Sequence, residues 1–273
     1  MPASFESRKR TALGLALGGL AAAVLVVALL PIRNSALAEA PVQPDTAVGD
    51  RSAGALVSLG SSADSDAAVL AKLRGWGLPV GKATRMSQAE ARRAVCAWRE
   101  LSGHTATRAS LKAQERQTIT QGPEKVAFTV ARSLKQVPVL INQVCQTMIY
   151  QADGTVVRVL PVSTGMYRGT SRNGLFHVYD AYPGRWQSSS MFPDPHGAPN
   201  MYRALYFFGP LAIHGSNHPI RPIPESSGCT RTKPQDQDWL VKRLHVGSAI
   251  YSYGDWWSGK TTPFGMKAAV LRG

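Results

Sequence analysis

The pattern of apolar and polar positions changes character along the chain. Residues 11–30, TALGLALGGLAAAVLVVALL, carry no charge, and Arg8, Lys9 and Arg10 stand directly before them. The small residues Ala36 and Ala38 follow in SALAEA. A basic start, an apolar run and small residues at a cleavage position are the parts of an export signal, so residues 1–38 read as a leader removed after Ala38. The other reading is an uncleaved anchor, because about twenty apolar residues can cross a bilayer. Either way the rest of the chain is expected outside the cytoplasm. Residues 39–66 are mostly Ala, Ser, Gly, Pro and Asp without periodicity, a flexible linker.

A helical period begins next. In SQAEARRAVCAWRELSG, Ala91, Ala94, Val95, Trp98 and Leu101 share one helical face. Ser87 and Glu90 form a capping box at its start, and Gly103 ends it. With the preceding AAVLAKLRGWGLPVG this predicts a small helical module over 67–122. After Pro123 short β-like runs take over. VCQTMIY and TVVRVL flank QADG, whose Asp153-Gly154 pair is a tight-hairpin signal. Further strands are expected around Phe176, around Tyr206, in LAIH ending at His214, and around Tyr251. Only QDQDWLVKRLHVG looks helical here, with Asp236 and Asp238 in its first turn and Lys242, Arg243 and His245 in its last, as the helix dipole favours. The fold class expected is therefore α+β: the helical module, a mostly-β domain over 123–255, and a tail over 256–273.

Charge adds a partner class. The chain carries 31 Lys and Arg against 17 Asp and Glu, a net +14. Loss of residues 1–38 removes four basic residues and one acidic, so 14 − 3 leaves +11. Such an excess points to an anionic partner: nucleic acid, a membrane surface or an anionic wall polymer. No basic run interleaved with aromatics is present, so nucleic acid is not expected, and a membrane is met only through an uncleaved N-terminal segment.

The candidate chemistry lies in HGSNHPIRPIPESSGCTR, residues 214–231. Cys229 sits between Gly228 and Thr230 in a loop, not inside a strand or helix where a thiol serves as a small hydrophobe. A thiol with a pKa of about 8.5 needs a base or a cation to react at neutral pH. His214, at a strand end, is the candidate base, and a helix start near Cys229 would lower the thiol further. The Ser-Gly-Cys turn would offer the N–H groups of Gly228 and Cys229 to a developing oxyanion, with glycine where the backbone must approach closely. Arg231 either holds a substrate carboxylate or braces the loop. Singly, His214 reads as a structural histidine and Cys229 as a buried thiol or half a disulfide; together in this loop they point to catalysis. Ser163 and Thr164 read as strand-end hydroxyls. His177, His196, His218 and His245 lack partners at ligand spacing, so neither a metal nor a cofactor is expected. Trp256 and Trp257 either cap the core or line a groove.

Three cysteines in an exported chain suggest one pair and one left over. Cys96 and Cys145 are the disulfide candidates, which would clamp the helical module to the β domain; the alternative is two buried, unpaired thiols.

PVSTGMYRGTSRNGLF, LAIHGS and SSGCTR, in this order and spacing, resemble the catalytic domain of bacterial L,D-transpeptidases over residues 124–254. The resemblance implies a cysteine acyltransferase that acts on peptidoglycan stem peptides through a thioester, with the backbone carbonyl of Gly215 orienting the imidazole. Two positions depart from the family: Ser227 stands where a histidine is usual, and Thr230 where an aliphatic residue is. The alternatives are a catalytically degenerate wall-binding domain and an L,D-carboxypeptidase with water as acceptor. Residues 64–120 also loosely resemble small helical peptidoglycan-binding modules, and a plain helical packing module explains them equally well.

Overall fold

The computed structural model describes residues 62–259 except 183, 190–192 and 194, together with the backbone of 267–270; side chains are described from residue 65 onward. The expected leader and most of the expected linker lie outside the described residues. Among the described residues no helix is long and apolar enough to cross a membrane.

Three helices come first, α1 (Ser62–Gly75), α2 (Ala89–Leu101) and α3 (Ala113–Thr120). The helical face of α2 is as expected, with Ala91, Ala94, Val95, Trp98 and Leu101 all buried. Its start differs, because Gln88 is the N-cap and no side chain caps the helix. Gln88 instead turns its Oε1 back to accept from the amides of Thr84 (2.6 Å) and Arg85 (2.8 Å).

Twelve described strands follow: β1 (Val126–Thr129), β2 (Val139–Asn142), β3 (Thr147–Ala152), β4 (Thr155–Pro161), β5 (Gly174–His177), β6 (Asp180–Ala181), β7 (Trp186–Gln187), β8 (Met201–Phe208), β9 (Leu211–Gly215), β10 (Thr230–Thr232), β11 (Ala249–Tyr253) and β12 (Lys267–Val270). One further helix, α4 (Pro234–Leu240), lies between β10 and β11. Asp153 (φ 51°) and Gly154 (φ 89°) make the β3–β4 turn, both in the left-handed region that a tight hairpin requires. β12 falls inside the expected tail and pairs antiparallel with β1.

The strands form two sheets. The larger has the order β12-β1-β4-β3-β2-β11-β5; the smaller has β10-β9-β8-β6, with β7 against β8. Period-two alternation gives the larger sheet two buried faces. Val139, Ile141, Met148 and Leu160 face the smaller sheet, where they meet Leu205, Phe207 and Ile213, with Leu240 of α4. Their neighbours Leu140, Ile149 and Val159 face the other way, onto Leu70, Leu73, Val95, Trp98 and Leu101 of the helices. The helices are thus one layer of a shared core, and the described residues form one compact unit. A disulfide between Cys96 and Cys145 (Cα–Cα 5.4 Å) crosses from α2 to the turn before β3. Among the described residues Cys229 is the free cysteine.

Candidate active site

β9 and β10 run parallel, with Thr230 beside Ile213 and Arg231 beside His214. Side chains alternate along a strand, so Ile213 points into the inter-sheet core while Ala212 and His214 point to the opposite face. Cys229, one residue before β10, packs on that same face against Ala212, Met201 and Tyr206. His214, Cys229 and Arg231 accordingly line one cleft of about 350 Å³, with Met166, Asn200, His218, Ser226 and Ser227.

The loop holding Cys229 is tied down from several sides. Gly228 has φ +140°, and a Cβ there would come within 2.7 Å of Leu211 and 2.8 Å of the Thr170 carbonyl, so only glycine fits. Ser226 Oγ accepts from the Gly228 amide at 3.0 Å and lies 2.5 Å from the Cys229 carbonyl, to which it donates. Ser171 Oγ donates to the Gly228 carbonyl at 2.8 Å. Thr164 accepts from the amides of Glu225 and Ser226, and Ser163 exchanges both backbone hydrogen bonds with Arg231. Ser163 and Thr164 are therefore anchors of the loop. Two successive open amides were expected here, but the Ser226 hydroxyl has folded back and taken that of Gly228. Among the described residues no partner takes up the Cys229 amide.

His214 is buried, and its Nδ1 lies 2.9 Å from the Gly215 carbonyl. A carbonyl can only accept, so Nδ1 carries the proton and Nε2 is the basic nitrogen. Desolvation pushes the imidazole pKa down to about 4, with the charge of Arg231 acting in the same direction. Burial also pushes the Cys229 thiol up, against the opposing pull of the Ala212 amide and of Arg231. At neutral pH both groups rest uncharged. The expected help from a helix start is missing because β10 intervenes and α4 begins only at Pro234. Such a pair can transfer the thiol proton to Nε2 as sulfur attacks, with no standing ion pair. Arg231 is half-buried, and among the described residues no hydrogen bond engages its guanidinium, which leaves a fork for a carboxylate.

Several contributors carry no strong signal in the sequence. Gln237 of α4 donates to the Arg203 carbonyl at 2.8 Å and to that of Ile213 at 3.2 Å, bracing the strand that carries His214. Thr232 Oγ1 lies between Gln237 Oε1 (2.9 Å) and the His214 carbonyl (3.1 Å). His218 lines the cleft, although its sequence context shows no partner. Trp256 stacks under Arg108, 3.2 Å from its ring centroid, and Trp257 is exposed; neither lines the cleft.

A buried imidazole and a thiol that line one cleft of an α+β sheet fold are the parts of a cysteine acyl-transfer centre. A family model described as YkuD, the L,D-transpeptidase catalytic domain, matches residues 137–251. Among solved structures it is similar to the L,D-transpeptidase from Xylanimonas cellulosilytica, at 25% identity, covering 69% of this chain and 92% of that one, with a TM-score of 0.47. It is also similar to the L,D-transpeptidase from Stackebrandtia nassauensis, at 17% identity over 69% of this chain and 90% of that one, TM-score 0.40. A third similar structure, from Mycobacterium smegmatis, is 21% identical over 44% of this chain and 59% of that one, TM-score 0.38. The comparison with curated proteins gives no match.

Proposed function

We propose that the chain is an exported L,D-transpeptidase in which Cys229 is the nucleophile and His214 the general base. The thiol attacks the carbonyl of the third residue of a peptidoglycan tetrapeptide stem, and its proton passes to His214 Nε2. The C–N bond to the terminal D-alanine breaks, the departing amine takes that proton, and a thioester remains. An amine of a neighbouring stem then attacks the thioester, gives its proton to His214 and regenerates the thiol. Arg231 holds a stem carboxylate, and the Cys229 amide faces the developing oxyanion. The observation that carries this reading is that His214 of β9 and Cys229, one residue before the adjoining β10, line one cleft, with Gly215 fixing the imidazole tautomer.

Carbapenems acylate the thiol of this kind of enzyme, so mass spectrometry of the full chain should show a single covalent adduct that Cys229→Ala abolishes. His214→Ala should slow adduct formation by about a hundredfold or more with the fold kept. An adduct of full yield in Cys229→Ala, or an unchanged rate in His214→Ala, would make the assignment wrong. A carboxypeptidase would release D-alanine without cross-linked product, and a degenerate wall-binding domain would form no adduct.

A further inference from the structure

Two arginines of α2 are buried, and they are partnered very differently. Arg99 spends every donor: Nε and Nη2 on the two oxygens of Glu115, Nη1 on the carbonyls of Thr107 and Ala109, and Nη2 also on that of Ser110. Arg93 uses Nη2 alone, on the carbonyls of Val162 (3.2 Å) and Arg221. Its Nε is buried without a partner, and no carboxylate lies within ion-pair distance of it among the described residues. Desolvation pushes its pKa down to about 10, although Glu90 nearby opposes this. A buried guanidinium with spare donors and no counter-ion is costly unless something else supplies the negative charge.

Arg93 lines a cavity of about 600 Å³ between the helical layer and the larger sheet, which shares no lining residue with the cleft of Cys229. We infer that this cavity is an anion site, floored by Arg93, that takes the phosphodiester or carboxylate groups of a wall glycopolymer. Its lining holds five cations, Arg74, Lys82, Arg93, Arg158 and Lys233, against two carboxylates, Glu90 and Asp236. Asp236 is already engaged by Arg158 at 2.8 Å. Lys82 and Lys233 are exposed, and neither takes part in an ion pair among the described residues. Between these charges Pro79, Val157 and Ile220 give accessible apolar lining, suited to the sugar or polyol links between successive anions. The choice of a wall polymer rests on the cell-surface reading above; the anion site rests on Arg93 and the cavity alone.

The test is binding of two probes to the full chain at low and at physiological salt: poly(glycerol phosphate) and a polyglucuronate. Two double variants carry the same change in net charge, Lys82→Glu/Lys233→Glu at the cavity and Arg132→Glu/Lys242→Glu on exposed residues outside it. The cavity variant is expected to weaken binding about tenfold or more, and the remote variant by less than about threefold. Whichever polymer shows that contrast identifies the anion as phosphodiester or carboxylate. Equal weakening by the two variants, or no binding of either polymer, would overturn the inference. Carbapenem labelling of the same samples separates the two claims: a chain that binds polymer but forms no adduct refutes the thiol mechanism and leaves the anion site standing.

Discussion

Ser226 is the residue through which the backbone around the thiol is shaped, because its one hydroxyl both accepts from Gly228 and donates to the Cys229 carbonyl. Ser226→Ala is expected to slow carbapenem acylation about tenfold, roughly 1.4 kcal/mol, as the turn relaxes, with the thermal midpoint little changed. Ser227 lines the cleft, and among the described residues its side chain makes no hydrogen bond, so Ser227→His should alter the same rate by less than about tenfold. Rescue of an inactive parent by that change would favour the degenerate binder. The depressed imidazole sets the pH profile. With its pKa pushed down to about 4, His214 stays a competent base through mildly acidic pH, so acylation should hold level to pH 5 and fall only as pH approaches 4. A limb near the ordinary histidine value would contradict the buried, neutral imidazole. Much of this was legible in the motif itself, since Gly228, Cys229, His214 and Arg231 are all named by it. What was not legible is the back-turned Ser226 hydroxyl and the brace from Gln237. Neither residue type announces its partner until the chain has folded.

At the level of elements, the hairpin at Asp153-Gly154 and strands β8, β9 and β11 follow from local pattern, because turn chemistry and short apolar runs are local signals. β2 is harder to read, since a strand buried on both faces loses its alternation. That double burial also decides what the helices do. Leu140 and Ile149 need a cover, and α1 and α2 supply it, so the helical residues are a layer of the core and Leu140→Ala should cost about 2–5 kcal/mol in urea unfolding. The Cys96–Cys145 link closes a loop of 49 residues, for which chain entropy suggests about 4 kcal/mol; thiol titration of the unreduced, denatured chain should find one free group, and three would contradict the clamp. Glu100 adds a second tie across the same seam. It is buried, accepts from Tyr253 at 2.5 Å, and is pushed up to about 7 by desolvation, against that hydrogen bond. The native state therefore keeps a proton that the unfolded chain releases between pH 4.5 and 7, so this stabilisation is full below 4.5 and lost as pH rises through 7. His214 acts in the opposite sense: its stabilisation is full above 6.5 and lost as pH falls through 4. The two groups therefore act in opposite directions between pH 4.5 and 6.5. Relative to the parent, Glu100→Gln should gain stability as pH rises across that window; parallel profiles would rule out a protonated Glu100.

Across the described residues, three layers place the candidate cleft and one basic seam on the same compact unit. The larger sheet is covered on one side by the helices and on the other by the smaller sheet, whose β9 carries His214 and whose β10 follows directly on Cys229. The net charge of +14 was plain from composition, but its concentration around Arg93 depends on α2 meeting β4, a contact between distant parts of the chain that no local pattern encodes. Chemistry at Cys229 is the centre of the account, and the most direct measurement is intact mass of the full chain after mixing with a peptidoglycan stem tetrapeptide, with free alanine followed in parallel. A transient gain equal to the tripeptide acyl group is expected, located on the Cys229 peptide, with one D-alanine released per adduct and neither seen in Cys229→Ala. Release of alanine by Cys229→Ala at the parent rate, or an adduct on any other residue, would contradict it.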